Sequence, residues 1–282
     1  MRSEEANAKN LHSNQPVGIF DSGIGGLTVA SAVNRLLPNE QLIYFGDTAH
    51  LPYGDKSTAA IQSYAVKICN VLLERNCKLI LVACNSASAA AFDLVNLYVG
   101  SKALVLNVID PVVNYLREYY AGKAVGLIGT RQTILSGAYE EKVKRLNQPV
   151  LLQSLATPLL APMIEEGFYR EQISKLVIAE YLNKEELANL EALVLGCTHY
   201  PLIKPAIEAY YREHNRNISV IDSSVIVARS VKALLQHNNL LNRQAVVPAH
   251  EFMVSDLTNS FRESTAIFFG RELGLKACPL WD

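Results

Sequence analysis

The sequence has no C-x-x-C pair and no Cys/His set at zinc-finger spacing, although it carries Cys69, Cys77, Cys84, Cys197 and Cys278. An odd count without such pairs argues against a disulfide framework and against a structural zinc site. No apolar run approaches the ~18 residues that cross a bilayer, so no membrane attachment is expected. The opening stretch, MRSEEANAKNLHSNQP, lacks the apolar segment of a secretory signal, and a reducing, cytoplasmic setting is the expectation. Residues 1–16 read as a flexible extension, with regular structure beginning near Val17. Charge of one sign is also missing. The formal net charge is −1, which gives no field for nucleic acid or an anionic surface. The glycines of GIGG (23–26) lack the G-x-G-x-x-G spacing, and no Lys-Ser/Thr follows them, so neither nucleotide fingerprint is present.

What the chain does have is alternation. Short β-branched runs occur at 17–20, 42–47, 79–84, 103–109, 124–129, 149–155, 192–197, 218–222 and 251–256. Several are apolar without a polar alternate, the pattern of strands covered on both faces. Helical patterns lie between them. In 58–75, for example, Ile61, Tyr64, Ala65, Ile68 and Leu72 recur on one face. The expected class is α/β, with mostly parallel sheets flanked by helices.

The order of elements repeats. Residues 17–110 hold four strand patterns, and the third ends in Cys84; residues 123–222 hold four more, and the third ends in Cys197. Asp21 precedes Cys84 by 63 positions, and Thr130 precedes Cys197 by 67. This predicts two similar domains related by a pseudo-twofold axis, with the site in the cleft between them. One domain takes 17–110 plus 223–282, the other 111–222. Parallel sheets bind ligands beyond their carboxyl ends, so both cysteines would reach one ligand.

A thiol titrates at roughly 8.5, near enough to neutrality to move protons. Cys84 stands before a helix pattern whose N–H groups would favour its thiolate, and Cys197 looks similarly placed before Pro201. Ordinary burial suffices for Cys69, Cys77 and Cys278. FDSGIGG places Asp21 and Ser22 at a strand end before a turn suited to a small anion; Asp21 could equally cap the next helix. DTAHLPYGDKS (47–57) is a turn-rich loop presenting Tyr53. His199 follows Cys-Thr and could serve the thiol as acid or base. Glu165 and Glu166 would ordinarily be solvated charges.

Together FDSGIGGLTV, FGDTAHLPYGDKS, VACNSAS, VGLIGTRQTILSGAYE and VLGCTHYPLI, in this order, resemble the glutamate-specific members of the cofactor-independent aspartate/glutamate racemase family. The resemblance implies an isomerase that interconverts L- and D-glutamate by a two-base reaction and supplies D-glutamate for peptidoglycan. It implies no pyridoxal phosphate and no metal. Cys84 would act on D-glutamate and Cys197 on L-glutamate, assisted by Asp21 and by His199 respectively. Glu165 matches an acid near the second thiol. Ser22, Tyr53, Gly54, Asn85, Ser86, Thr130, Thr133 and Thr198 match positions that hold the amino acid, with Asp21 and His199 beside them. Glutamate is the implied small-molecule partner. Some longer members take UDP-N-acetylmuramoyl-L-alanine as activator, and members occur as monomers or homodimers. The sequence departs from the pattern at Ser86, commonly threonine, at Ser224, commonly glycine, and at His50, often arginine. The alternatives are a racemase of aspartate, or a two-domain protein that closes on an amino acid without reacting.

Overall fold

A computed structural model describes residues 11–244 and 249–281. Its strands are β1 (Val17–Asp21), β2 (Leu42–Gly46), β3 (Leu79–Val82), β4 (Leu104–Asn107), β5 (Ala124–Gly129), β6 (Leu151–Ala156), β7 (Ala192–Gly196), β8 (Ser219–Asp222), β9 (Glu251–Val254) and β10 (Leu275–Ala277). They form two sheets, ordered β10-β9-β2-β1-β3-β4 and β6-β5-β7-β8, and every pairing is parallel. The four strands of each sequence half therefore adopt one order, 2-1-3-4. The repeat suggested by element order is present in the strand pairing.

Period-two alternation sends the side chains of each central strand into separate cores. In the first sheet Val17, Ile19, Leu42, Tyr44, Leu79 and Leu81 face one side, while Phe20, Ile43, Phe45, Ile80 and Val82 face the other. In the second sheet Val125, Leu127, Ala192 and Val194 oppose Ile128, Leu193 and Leu195. Helices flank both sheets, which is why the central strands β3, β5 and β7 are apolar throughout.

The chain leaves the first sheet after β4, and the helix Ile109–Tyr119 packs beneath the second. It returns at the helix Ser223–His237, whose Val227, Ala228, Val231 and Leu235 join the core of the first sheet. β9 then pairs with β2. The sequence reading gave 223–282 one strand; the structure has two. β10 is three residues long, its burial is partial, and its Leu-Lys-Ala sequence carries no apolar run to announce it.

Of the expected extension 1–16, residues 1–10 lie outside the described residues. Residues 11–16 are fastened to the first sheet: Leu11 packs on its core and the Pro16 carbonyl accepts from Lys78 N at 2.9 Å. The Lys78 side chain is fully buried. Its Nζ donates to Glu40 Oε2 at 2.6 Å, to the Ser13 carbonyl, and to the Leu240 carbonyl at 2.9 Å. Glu40 Oε1 also accepts from Asn242 N at 2.7 Å. One ion pair thus joins four separate segments at the amino-terminal edge of the sheet. A buried charge stripped of its partner is costly, so Lys78→Met is expected to lose about 3 to 5 kcal/mol of unfolding free energy in urea titration. A loss under about 1 kcal/mol would show that Glu40 finds water or another partner.

Candidate active site

Both sheets have their order reversal between the first and third strands of the repeat, β1/β3 and β5/β7, and loops from these strands converge. Crevices at such switch points are where parallel sheets bind ligands. Here two of them share one small cavity of about 20 Å³. Ser22, Tyr53, Gly54, Cys84, Asn85 and Ser86 line it from the first half, and Thr130, Glu165, Cys197, Thr198 and His199 from the second. Pro52 and Ala161, neither of which the sequence reading made a site residue, complete the wall. A larger depression at Ser13, Gln236 and Arg243 lies on the surface and holds neither thiol.

Two glycines allow this convergence. A Cβ on Gly25 would stand 2.5 Å from His199 Nδ1 and 2.6 Å from Thr198 Oγ1; on Gly54 it would stand 2.8 Å from Thr130 Cβ. Both contacts cross between the halves. Thr28 Oγ1 also donates to the Thr198 carbonyl at 2.9 Å.

The surroundings of the two thiols differ. Cys84 is the N-cap of the helix Asn85–Val99, and its Sγ accepts from Ala87 N at 3.5 Å. It lies 3.8 Å from Ser22 Oγ. Burial pushes the Cys84 thiol well up, and the Asp21 charge adds to this; the Ala87 amide and Ser22 only partly offset it. Cys197 is followed by a 3-10 turn, Tyr200–Ile203, before the helix Lys204–Glu213. The expectation that Cys197 directly faces a helix terminus, as Cys84 does, is therefore corrected: Pro201 sits in the 3-10 turn.

Its neighbour is a histidine instead. Cys197 Sγ lies 3.6 Å from His199 Nδ1, and His199 Nε2 lies 2.9 Å from Glu165 Oε1. The second contact is close but not linear enough for a good hydrogen bond, so it acts as a charge contact. Burial by itself would lower the His199 pKa. The Cys197 sulfur and the Glu165 carboxylate outweigh it and raise the value well above 6.5. Glu165 is thus placed in the site, whereas Glu166 is exposed.

Asp21 and Thr133 are fully buried and stand behind the cavity wall. Asp21 Oδ2 accepts from Gly23 N at 3.2 Å and Gly26 N at 2.9 Å. The glycine turn expected to cradle a bound anion cradles this carboxylate. Asp21 Oδ1 accepts from Thr198 Oγ1 at 3.4 Å, across the halves. Burial raises the Asp21 pKa, against the opposing pull of His199 and the two amides. Beneath the turn, Tyr44 donates to the Gly23 carbonyl at 2.6 Å.

Hydroxyls bridge the cleft elsewhere. Ser86 Oγ is 2.8 Å from Thr130 Oγ1, which is 3.0 Å from Thr133 Oγ1. Tyr53 lines the cavity, but its hydroxyl donates to buried Asp47 at 2.6 Å. Asp47 also accepts from Ser255 Oγ at 2.7 Å and Trp281 Nε1 at 2.9 Å, and His50 stacks on Tyr64 beside it. Sequence reasoning missed Tyr44, Asp47 and Trp281; a polar tip inside the apolar run LIYFGD was the only signal for the first two. Among the described residues no group of three or more His, Cys, Asp and Glu side chains is arranged to hold a metal ion.

Comparison with known proteins identifies the family to which the chain belongs. The family model for Asp/Glu/Hydantoin racemase matches residues 26–231. A glutamate racemase of Chlorobaculum parvum is 42% identical over 263 residues, covering 93% of this chain and 95% of the relative. The crystal structure of Francisella tularensis glutamate racemase in complex with D-glutamate superposes with a TM-score of 0.87 at 38% identity, covering 95% and 98% of the two chains. The Escherichia coli enzyme, in complex with L-glutamate and the activator UDP-MurNAc-Ala, gives 0.73 at 26% identity, covering 91% and 94%.

Two outcomes test the geometry. Gly25→Ala should leave the thermal unfolding cooperative but lower kcat/KM at least about a hundredfold, since displacing a reacting group by about 1 Å costs that much. Activity near that of the unmodified protein would mean the two loops need not touch. For His199 the folded pKa is raised, so its charge persists above pH 6.5 and is lost as pH rises through the raised value. Glu165→Gln removes one of the anions responsible. The His199 Cε1 proton should then titrate at lower pH in NMR; an unmoved midpoint would take Glu165 out of the pair.

Proposed function

From a chain that belongs to the Asp/Glu/Hydantoin racemase family, we infer that the shared cavity interconverts L- and D-glutamate, the activity its relatives carry. The observation that carries this reading is that Cys84 and Cys197, both buried, line one cavity, each delivered by its own sheet.

Racemisation requires a base on one face of Cα and an acid on the other. One thiolate takes the α-proton, leaving the electron pair delocalised into the carboxylate. The opposite thiol returns a proton, so the two sulfurs exchange protonation state and nothing else is consumed. Cys197 acts on L-glutamate and Cys84 on D-glutamate. His199, kept protonated by its neighbours, stands 3.6 Å from the Cys197 sulfur, the partner it assists. Cys84, pushed up by burial, holds its proton and is set to deliver it.

Ser22, Asn85, Ser86, Thr130 and Thr198 supply donors to the carboxylates of glutamate. Tyr53 and Gly54 contribute through the wall of their loop, because the Tyr53 hydroxyl is already engaged. Thr133 and Asp21 act behind the wall. Fixed donors in a small, water-poor cavity stabilise the developing charge without an electron-sink cofactor. The reaction accordingly runs without pyridoxal phosphate or a metal. It takes place in the cytoplasm and supplies D-glutamate for peptidoglycan. UDP-N-acetylmuramoyl-L-alanine is an activator candidate through the likeness to the E. coli enzyme. The protein acts as a monomer or homodimer.

Incubation of L-glutamate with the protein in D₂O should place deuterium at Cα and yield D-glutamate. Absence of exchange would sink the racemase reading, and exchange with aspartate in preference to glutamate would transfer it to that substrate. Cys84→Ser and Cys197→Ser should each abolish racemisation in a folded protein; turnover within about tenfold of the parent in either would remove that thiol from proton transfer.

A further inference from the structure

Asn85 is the first residue of the helix Asn85–Val99, next to Cys84, and it lines the cavity. It is 2% exposed, and its Nδ2 has no partner among the described residues. Its Oδ1 accepts a hydrogen bond from Tyr139 at 2.8 Å. Tyr139 is fully buried and belongs to the helix Ala138–Lys144 of the other sequence half. An asparagine amide can turn over with almost no change of shape, exchanging its donor and its acceptor. Something must therefore fix which end meets the ligand.

We propose that Tyr139 is a positioning residue: its hydroxyl, reaching across the cleft, holds the Asn85 amide with the N–H group turned toward a glutamate carboxylate. The inference rests on the assignment of the cavity to glutamate. Burial raises the Tyr139 pKa, so its hydroxyl remains a donor throughout the working pH range. Were the amide reversed, its NH₂ group could donate to the phenol oxygen, but the buried phenol proton would lose its acceptor and the carbonyl oxygen would face the anionic ligand. Because the bond joins the two halves, the orientation depends on their contact.

The test is a cycle of Tyr139→Phe, Asn85→Ala and the double variant, assayed for KM and kcat on L-glutamate. A hydrogen bond to a charged group gives an expected rise in KM of about tenfold for Tyr139→Phe, with kcat within about threefold. Asn85→Ala should raise KM at least as much, and the double variant should match Asn85→Ala alone, because Tyr139 acts through that amide. KM within about twofold of the parent in Tyr139→Phe overturns the proposal. So does a Tyr139→Phe effect that persists in full on the Asn85→Ala background. If Asn85→Ala leaves KM unchanged while racemisation continues, the proposal fails and the racemase reading stands. Asn85→Asp tests the same point without altering Tyr139. It retains the acceptor for the phenol but presents oxygen to the cavity, so KM should rise above that of Asn85→Ala; a parental KM overturns the proposal.

Discussion

The site depends on how closely two sheets can bring their carboxyl ends together. Gly25 meets His199 and Thr198, and Gly54 meets Thr130, at separations that leave no room for a Cβ. This contact between halves makes the cavity small and keeps nearly all its polar side chains out of bulk water. The burial has electrostatic consequences. Desolvation is the largest influence on Asp21, Cys84 and His199 alike, and only neighbours a few ångströms away can oppose it. An open cleft would let water screen these groups, and the differences between them would shrink.

A duplicated topology places the two thiols equivalently but does not make them chemically equivalent. Cys84 receives an amide from its own helix and stands near a buried aspartate. Cys197 has a histidine two residues on, backed by a glutamate from another element. The backbone repeat therefore ends at the strand tips. Beyond them, each half solves the problem of a buried sulfur by different means, one with a helix terminus and a hydroxyl, the other with an ion pair. These unlike surroundings suit the proposed reaction, in which the two sulfurs play opposite parts at any one moment.

The parts of this arrangement visible in the sequence are those written into local patterns. Unbroken apolar runs announced the central strands because each buries both faces, and Cys84 and Cys197 stood out because they close two such runs. β10 carried no comparable pattern. Pairings between remote side chains were equally silent. Tyr139 donates to Asn85 across 54 positions, and Trp281 to Asp47 across 234. Tyr53 shows the limit in the other direction: its loop lines the cavity, yet its hydroxyl serves Asp47. Residue type and position named the candidate, but the direction of its side chain is decided by a partner the motif does not contain.

Polar groups buried this deeply are normally satisfied, and most here are: the Asp21 carboxylate, the Ser86–Thr130–Thr133 hydroxyls and the Asp47 cluster all pair internally. In the cavity Asn85 Nδ2 and His199 Nε2 are the exceptions among the described residues. A buried donor left unpaired is costly, so an acceptor that reaches Asn85 Nδ2 removes that cost as well as making the bond.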